Sequence, residues 1–145
     1  MPNRVVNVKG YATPREFSGF QVPIPLQSAA IRRYCDERGL VFNHHVVENI
    51  SPGRFMVLER IVAEAHFFHA LAMCSISMLP RDIEHRTKLL ESCVKKGLAI
   101  HFLFESLIVT TCEDIETVNH LLSLTALLKD DRGRVSYIED FLQSP

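Results

Sequence analysis

Three places in this chain put charged groups just after apolar, β-branched runs: Arg15-Glu16, Arg81-Asp82 and Glu105. A guanidinium is a planar fork that binds phosphate or carboxylate bidentately. A carboxylate within hydrogen-bond reach of a substrate serves as general acid or base. Arg54, after a further such run, adds another cation. The candidate catalytic residues are therefore Arg15, Glu16 and Glu105. The candidate substrate-binding residues are Tyr11, Ser18, Gln27, Arg54, Ser75, Arg81 and His101. The competing explanation is that Arg15-Glu16 and Arg81-Asp82 are loop salt bridges.

Other reactive residue types are less promising. His44 and His45 are adjacent on a strand and point to opposite faces. His66 and His69, three apart in a segment read as extended, do the same. No spacing gathers zinc ligands, so no metal is expected. His101 falls mid-strand and is expected to be buried and hydrogen-bonded. It lies four residues before Glu105, which leaves a site role open. Cysteines 35, 74, 93 and 112 form no Cys-x-x-Cys pair and read as free thiols. Cys112 precedes Glu113-Asp114, whose charges oppose a thiolate. Cys74, Met56, Met73 and Met78 read as packing. Neither a Gly-x-Gly-x-x-Gly nor a P-loop is present, and no cofactor is expected.

These residues need a scaffold. Residues 4–12 alternate and are β-branched, predicting a strand. Residues 13–25 carry Pro14, Gly19, Pro23 and Pro25, predicting a loop of the length that is often functional. Leu26 to Glu37 reads as a helix. Leu26, Ala30 and Tyr34, with Ile31 and Cys35 beside them, form its apolar face, Pro25 opens it and Gly39 closes it. Residues 40–47 read as a second strand. Ser51 is a candidate cap for a helix whose stripe is Phe55, Leu58, Val62 and Ala65. Residues 67–76 suit a strand buried on both faces. Asp82 caps a helix that Gly97 ends, and residues 98–104 form a fourth strand. Residues 113–129 form the last helix, with Ile115, Val118, Leu122 and Thr125 in register.

The alternation implies an α/β fold: an open, mostly parallel four- to five-stranded sheet with helices on both faces. Residues 1–129 are expected to be one domain. Residues 130–145 are expected to be a tail whose Val135, Tyr137, Ile138, Phe141 and Leu142 dock on the domain or on a partner. Ligands of such sheets bind at the carboxyl ends of the strands, here residues 12–18, 48–54, 75–81 and 105–111.

Bulk properties narrow the function classes. The chain has 145 residues, enough for one real core, and 47% of them are hydrophobic, so disorder is not expected. Sixteen Lys and Arg against seventeen Asp and Glu give a net charge of -1. The basic runs Arg32-Arg33 and Lys95-Lys96 are short, so no nucleic-acid partner is expected. No apolar run reaches the roughly 18 residues of a membrane span, and the N-terminus does not read as a leader. A cytoplasmic protein is the expectation.

The strand ends carry two resemblances. Tyr11 to Ser18, Ser75 to Asp82 and His101 to Ser106, with Gln27 and Tyr34-Cys35 between, resemble the catalytic domain of the resolvase and invertase serine recombinases. The resemblance spans roughly residues 8–110 and implies that fold. It departs from the family at its chemistry. Aligned without gaps from Tyr11, the family's arginine falls on Thr13 and its nucleophilic serine on Arg15. The first arginine of the later motif falls on Met78, and Arg81 alone is kept. Ser18 would reach the site only through a rearranged loop. Phosphoryl transfer to serine needs an activated hydroxyl and several cations, so recombinase cleavage is not expected.

A second set is similar to a small family from sporadically distributed carbohydrate-biosynthesis gene clusters. It comprises Gly10-Tyr11, Arg15-Glu16-Phe17, Gly19, Pro23, Gln27, Ile31-Arg32, Tyr34-Cys35, Met56, Leu58-Glu59, Met78-Leu79-Pro80, His101-Phe102 and Glu105. What this implies is context: a sugar, a sugar nucleotide or a glycosylated product. The expectation is an enzyme acting on a phosphorylated or nucleotide-linked sugar, in a homodimer. The alternative is a non-catalytic interaction or assembly module on a degenerate recombinase-like fold.

Overall fold

A computed structural model describes residues 5–51 and 53–143, with side chains as far as residue 128. Strands β1 (Asn7–Ala12), β2 (Val41–Val47), β3 (Ala70–Met73), β4 (Ala99–Phe102) and β5 (Leu107–Val109) form one sheet in the order β2-β1-β3-β4-β5. All neighbours pair in parallel except β4 with β5, a hairpin. The helices are α1 (Ile24–Glu37), α2 (Met56–Ala63), α3 (Ile83–Lys95) and α4 (Cys112–Gln143). The α/β sheet expected from the alternation is what the chain forms, with five strands.

Side-chain size separates the two faces. Along β3, Ala70 and Ala72 join Val8, Ile31 and Cys35 under α1. Leu71 and Met73 point the other way, into a larger core with Tyr11, Ile100, Phe102 and the apolar faces of α2, α3 and α4. Period-two alternation in a doubly covered strand gives this split directly. Gly10 is needed on β1. A Cβ there would lie 2.7 Å from the Phe42 ring and 3.1 Å from His45 Cβ.

Several local expectations shift. The buried stripe of α1 is Gln27, Ile31 and Cys35, while Leu26 is 60% exposed. The helix is thus rotated by about one residue from its apolar pattern. The 67–76 strand shortens to Ala70–Met73, flanked by 3₁₀ turns at Ala65–Phe67 and Ile76–Met78. His66 therefore sits in a turn, and His69 accepts the Asn7 N–H at 3.0 Å. Ser51 does not cap α2. Glu48 does so instead, its carboxylate accepting the N–H groups of Val57 at 3.1 Å and Leu58 at 3.0 Å. Asp82 caps α3 as read, accepting from His85 N–H. Thr111 and Asp114 form a reciprocal box at the start of α4. The expected tail falls where side chains lie outside the described residues. The backbone there continues α4 to Gln143.

Candidate functional site

The strand order reverses direction between β1 and β3, and in open α/β sheets the crevice at such a switch point binds ligands. Two loops and one turn meet there. After β1 the chain runs to Phe17 and Phe20, which exchange two backbone hydrogen bonds of 2.9 Å. The two residues between them, Ser18 (φ +53°) and Gly19 (φ +80°), are both left-handed. Two positive φ values in a two-residue connection mark a type I′ turn. The turn brings Ser18 Oγ to 2.6 Å from Ser77 Oγ and 3.2 Å from Ser75 Oγ.

After β3, Ser75 caps the 3₁₀ turn, accepting the Ser77 N–H at 3.1 Å. Ser75 Oγ donates to Glu105 Oε1 at 2.6 Å, and Ile76 N–H donates to the same oxygen at 3.0 Å. Glu105 lies in the β4–β5 turn, anchored by the Phe104 N–H to the Cys74 carbonyl at 2.8 Å.

Each hydroxyl has one proton. Ser75 gives its proton to Glu105, so in its 2.8 Å contact with Ser77 it accepts. Ser77 then accepts from Ser18. The protons are ordered Ser18 to Ser77 to Ser75 to Glu105, and the Ser18 lone pairs form the open end. Glu105 Oε2 is buried and has no hydrogen-bond partner among the described residues. A buried acceptor without a donor costs about 1–3 kcal/mol, more when charged. Burial and the Glu105 charge together push the neighbouring Cys74 thiol up to about 11, which makes it unreactive near neutrality.

The structure brings together three of the expected site residues: Ser18, Ser75 and Glu105. Ser77 joins them and was not singled out in the sequence. A hydroxyl two residues from another, in a turn after a buried strand, was its only signal. The arginines do not converge on this group. Arg15 donates to the carbonyls of Ser51 (3.3 Å) and Arg54 (3.0 Å) and to Thr13 Oγ1 (3.3 Å), with its guanidinium 4.6 Å from the Phe55 ring centroid. It ties the loops after β1 and β2. Glu16, Arg54 and Arg81 are exposed. Neither Arg15-Glu16 nor Arg81-Asp82 is an ion pair among the described residues. The buried arginine of this edge is Arg86, which holds the carbonyls of Pro80 and Arg81 and Asn119 Oδ1.

Three other expected binding residues have internal partners. Tyr11 is wholly buried and donates to Glu48 Oε2 at 2.8 Å. Burial, reinforced by Glu48, pushes its hydroxyl far above the usual phenol range. Gln27 is wholly buried against the loop after β1. His101 faces α1, its Nδ1 2.7 Å from the Tyr34 hydroxyl. It is hydrogen-bonded and buried, as read, and shares no hydrogen bond with Glu105.

A groove of about 650 Å³ lies elsewhere, between α1 and β2, lined by Ile24, Ser28, Arg32 and His45 among others. Ser28 and His45 pair with each other there at 3.0 Å, and no buried side-chain polar atom of its lining lacks a partner among the described residues. The rim at the switch point is the better candidate. Among the described residues no three His, Cys, Asp or Glu side chains gather to hold a metal. No described helix is long and apolar enough to cross a membrane.

Comparison with known proteins matches this architecture. The chain is similar in structure to the N-terminal catalytic domain of TP901-1 integrase. The TM-score is 0.61 at 16% identity, covering 86% of this chain and 97% of that one. It is also similar to a resolvase family site-specific recombinase from Streptococcus pneumoniae. There the TM-score is 0.57 at 13% identity, covering 95% of this chain and 97% of that one. The chain therefore has the fold of serine-recombinase catalytic domains, and at these identities the likeness shows the fold alone. No family model and no curated protein sequence matches it.

Proposed function

We propose that the chain is an enzyme acting on a sugar-derived substrate at the carboxyl edge of its sheet, with Glu105 as general base. The observation that carries this reading is the ordered hydroxyl chain from Ser18 to a carboxylate whose second oxygen is buried and has no partner among the described residues. A substrate hydroxyl that hydrogen-bonds to Ser18 Oγ passes its proton there. Ser18 hands its own to Ser77, Ser77 to Ser75, and Ser75 to Glu105, leaving a substrate alkoxide. Reversal returns the proton when the product forms. A group transfer onto a sugar hydroxyl uses this step, as does the ring opening that precedes a sugar isomerisation. Arg54 and Arg81, exposed on loops of the same edge, are where a phosphorylated or nucleotide-linked substrate would place its charge.

The test is a thermal-shift screen against neutral sugars, sugar phosphates, nucleotide sugars and inorganic phosphate, followed by proton NMR of the responding ligand in D₂O. A ligand at a hundred times its dissociation constant raises the melting temperature by roughly 6–10 °C. Turnover or C–H exchange in wild type, lost in Glu105→Gln, is the expected result. No shift with any sugar, or unchanged turnover in Glu105→Gln, overturns the reading.

A second reading has its own observation. On α4, Leu124, Leu127 and Leu128 are 43%, 60% and 62% exposed and share one helical face. A second copy of this chain covering that stripe would make the protein a homodimer. Sedimentation at several concentrations, for wild type and for the variant with all three leucines changed to Ser, tests this. A wild-type monomer at every concentration overturns it.

A further inference from the structure

We infer that the outer edge of β2 is a self-association surface. A second copy of this chain adds its own β2 there, antiparallel about a two-fold axis, and the two sheets become one. This interface is separate from the leucine stripe on α4.

β2 is the outermost strand of the sheet, and among the described residues no strand pairs with its outer side. An unpaired edge is a template for another strand, and proteins usually guard one with charge or Pro, or keep it short. The far edge of this sheet is short, since β5 has three residues. β2 has seven, Val-Phe-Asn-His-His-Val-Val, with no Lys, Arg, Asp, Glu or Pro among them. Val41 and Val47, at its two ends, leave 41% and 40% of their surface in water.

Alternation fixes which backbone groups are free. The Glu48 N–H donates to the Ala12 carbonyl, so Glu48 faces β1. Val47 and His45 therefore turn both their N–H and C=O groups outward. Asn43 is the extra residue of a bulge, where the register passes from Val8 against Phe42 to Lys9 against His44. The regular stretch thus begins at His44. In an antiparallel pair, outward-facing residues exchange both hydrogen bonds with each other. His45 takes Val47 of the second copy, Val47 takes its His45, and the two Val46 residues meet across the axis.

The side chains suit this register. His45 points to α1, where its Nδ1 lies 3.0 Å from Ser28 Oγ. With Ile24, Pro25 and Ala29 it lines the groove of about 650 Å³ between α1 and β2. Residues directly opposite on antiparallel strands share one face of the sheet. Val47 of the second copy therefore stands beside His45 and enters that groove. The two-fold axis makes the filling reciprocal, because one edge carries both the hole and the knob that fits it. No charged residue of β2 meets its mate, so no like-charge pair opposes the contact. A strand from an unrelated chain satisfies the same backbone groups, but it brings no matching valine to the groove.

Sedimentation velocity of the full chain, from about 1 µM to about 1 mM, tests this. It is run on wild type, on Val47→Lys, and on the variant with Leu124, Leu127 and Leu128 changed to Ser. Amide hydrogen exchange of wild type is read by NMR at both ends of that range. The expected result is a wild-type dimer that persists in the leucine variant and is weakened about tenfold or more by Val47→Lys. Exchange at His45 and Val47 should slow at the high concentration. A wild-type monomer throughout overturns the inference. So does a dimer that Val47→Lys leaves intact, or one lost in the leucine variant. A dimer in which the His45 and Val47 amides exchange as fast as in the monomer overturns it as well.

Discussion

The side-chain amide of Gln27 pairs with both backbone groups of Thr13, accepting its N–H at 3.1 Å and donating to its carbonyl at 2.7 Å. The same amide nitrogen also donates to the Val22 carbonyl at 2.8 Å. Gln27 does for the end of β1 what a neighbouring strand would do, and so holds the loop that carries Ser18. Gln27→Leu leaves these backbone groups buried and unpaired. It should lower stability by about 2–4 kcal/mol in urea denaturation. A loss under 1 kcal/mol would mean that water replaces the amide.

Glu48 is 3% exposed and accepts four hydrogen bonds, from Tyr11 Oη, Asn49 N, Val57 N and Leu58 N. Tyr11→Phe should cost about 1.5–3 kcal/mol, the range for a bond to a charged group. Glu48→Ala should cost more, since it frees the phenol and uncaps α2. The double variant should cost less than the sum of the two. Strict additivity, measured by the same denaturation, would show that the two residues do not act as a unit.

His101 gives the fold a pH dependence of definite sign. Burial first, and then the nearby Arg38 charge, hold its imidazole below the usual value of 6.5. The unfolded chain therefore takes up the proton before the native state does. The contribution of the neutral imidazole is full above about pH 6.5 and is lost as pH falls through that value toward the depressed native one. Denaturation between pH 8 and pH 5 should show stability falling on the acid side, with a shallower fall in His101→Gln. Equal slopes would count against this role.

Ser18 separates backbone from hydroxyl. A non-glycine residue held left-handed is strained by about 1–2 kcal/mol, and Ser18 offsets this through Ser75 and Ser77. Ser18→Gly relieves the strain and loses the hydroxyl, so it should fold within about 0.5 kcal/mol of wild type. Ser18→Ala keeps the strain and loses the bonds, and should fall by about 1 kcal/mol. Both should abolish any turnover found in the ligand screen. Turnover retained in Ser18→Gly would remove Ser18 from the proton path.

The strands could be read because β-branched runs between punctuating Gly, Pro and Ser have few other uses, and the Asp82 cap because a side-chain oxygen before a helix has one dominant role. The phase of α1 could not, since its buried face includes a glutamine and its exposed face a leucine. Periodicity assumes that polarity reports burial, and Gln27 reverses that. The same ambiguity placed Tyr11, Gln27 and His101 among candidate ligand contacts. A polar side chain satisfied inside the protein has the same identity as one waiting for a substrate, and only the fold tells which it is. The three residues of β5 were too few to stand out before Thr110-Thr111. The Ser18-Gly19 turn had a signal, a polar-Gly pair between two phenylalanines, that competed with four nearby prolines and glycines.

Arg86 joins two distant parts of the chain. Through Nη1 it holds the Pro80 carbonyl in the loop after the serine turn, and through Nε it holds Asn119 on α4. The last helix is thereby tied at Asn119 to the same arginine that holds that loop, with the stretch to Gln143 still ahead of it. A helix of 32 residues is about 48 Å long, so this tie grips α4 near its start and leaves most of its length beyond the grip.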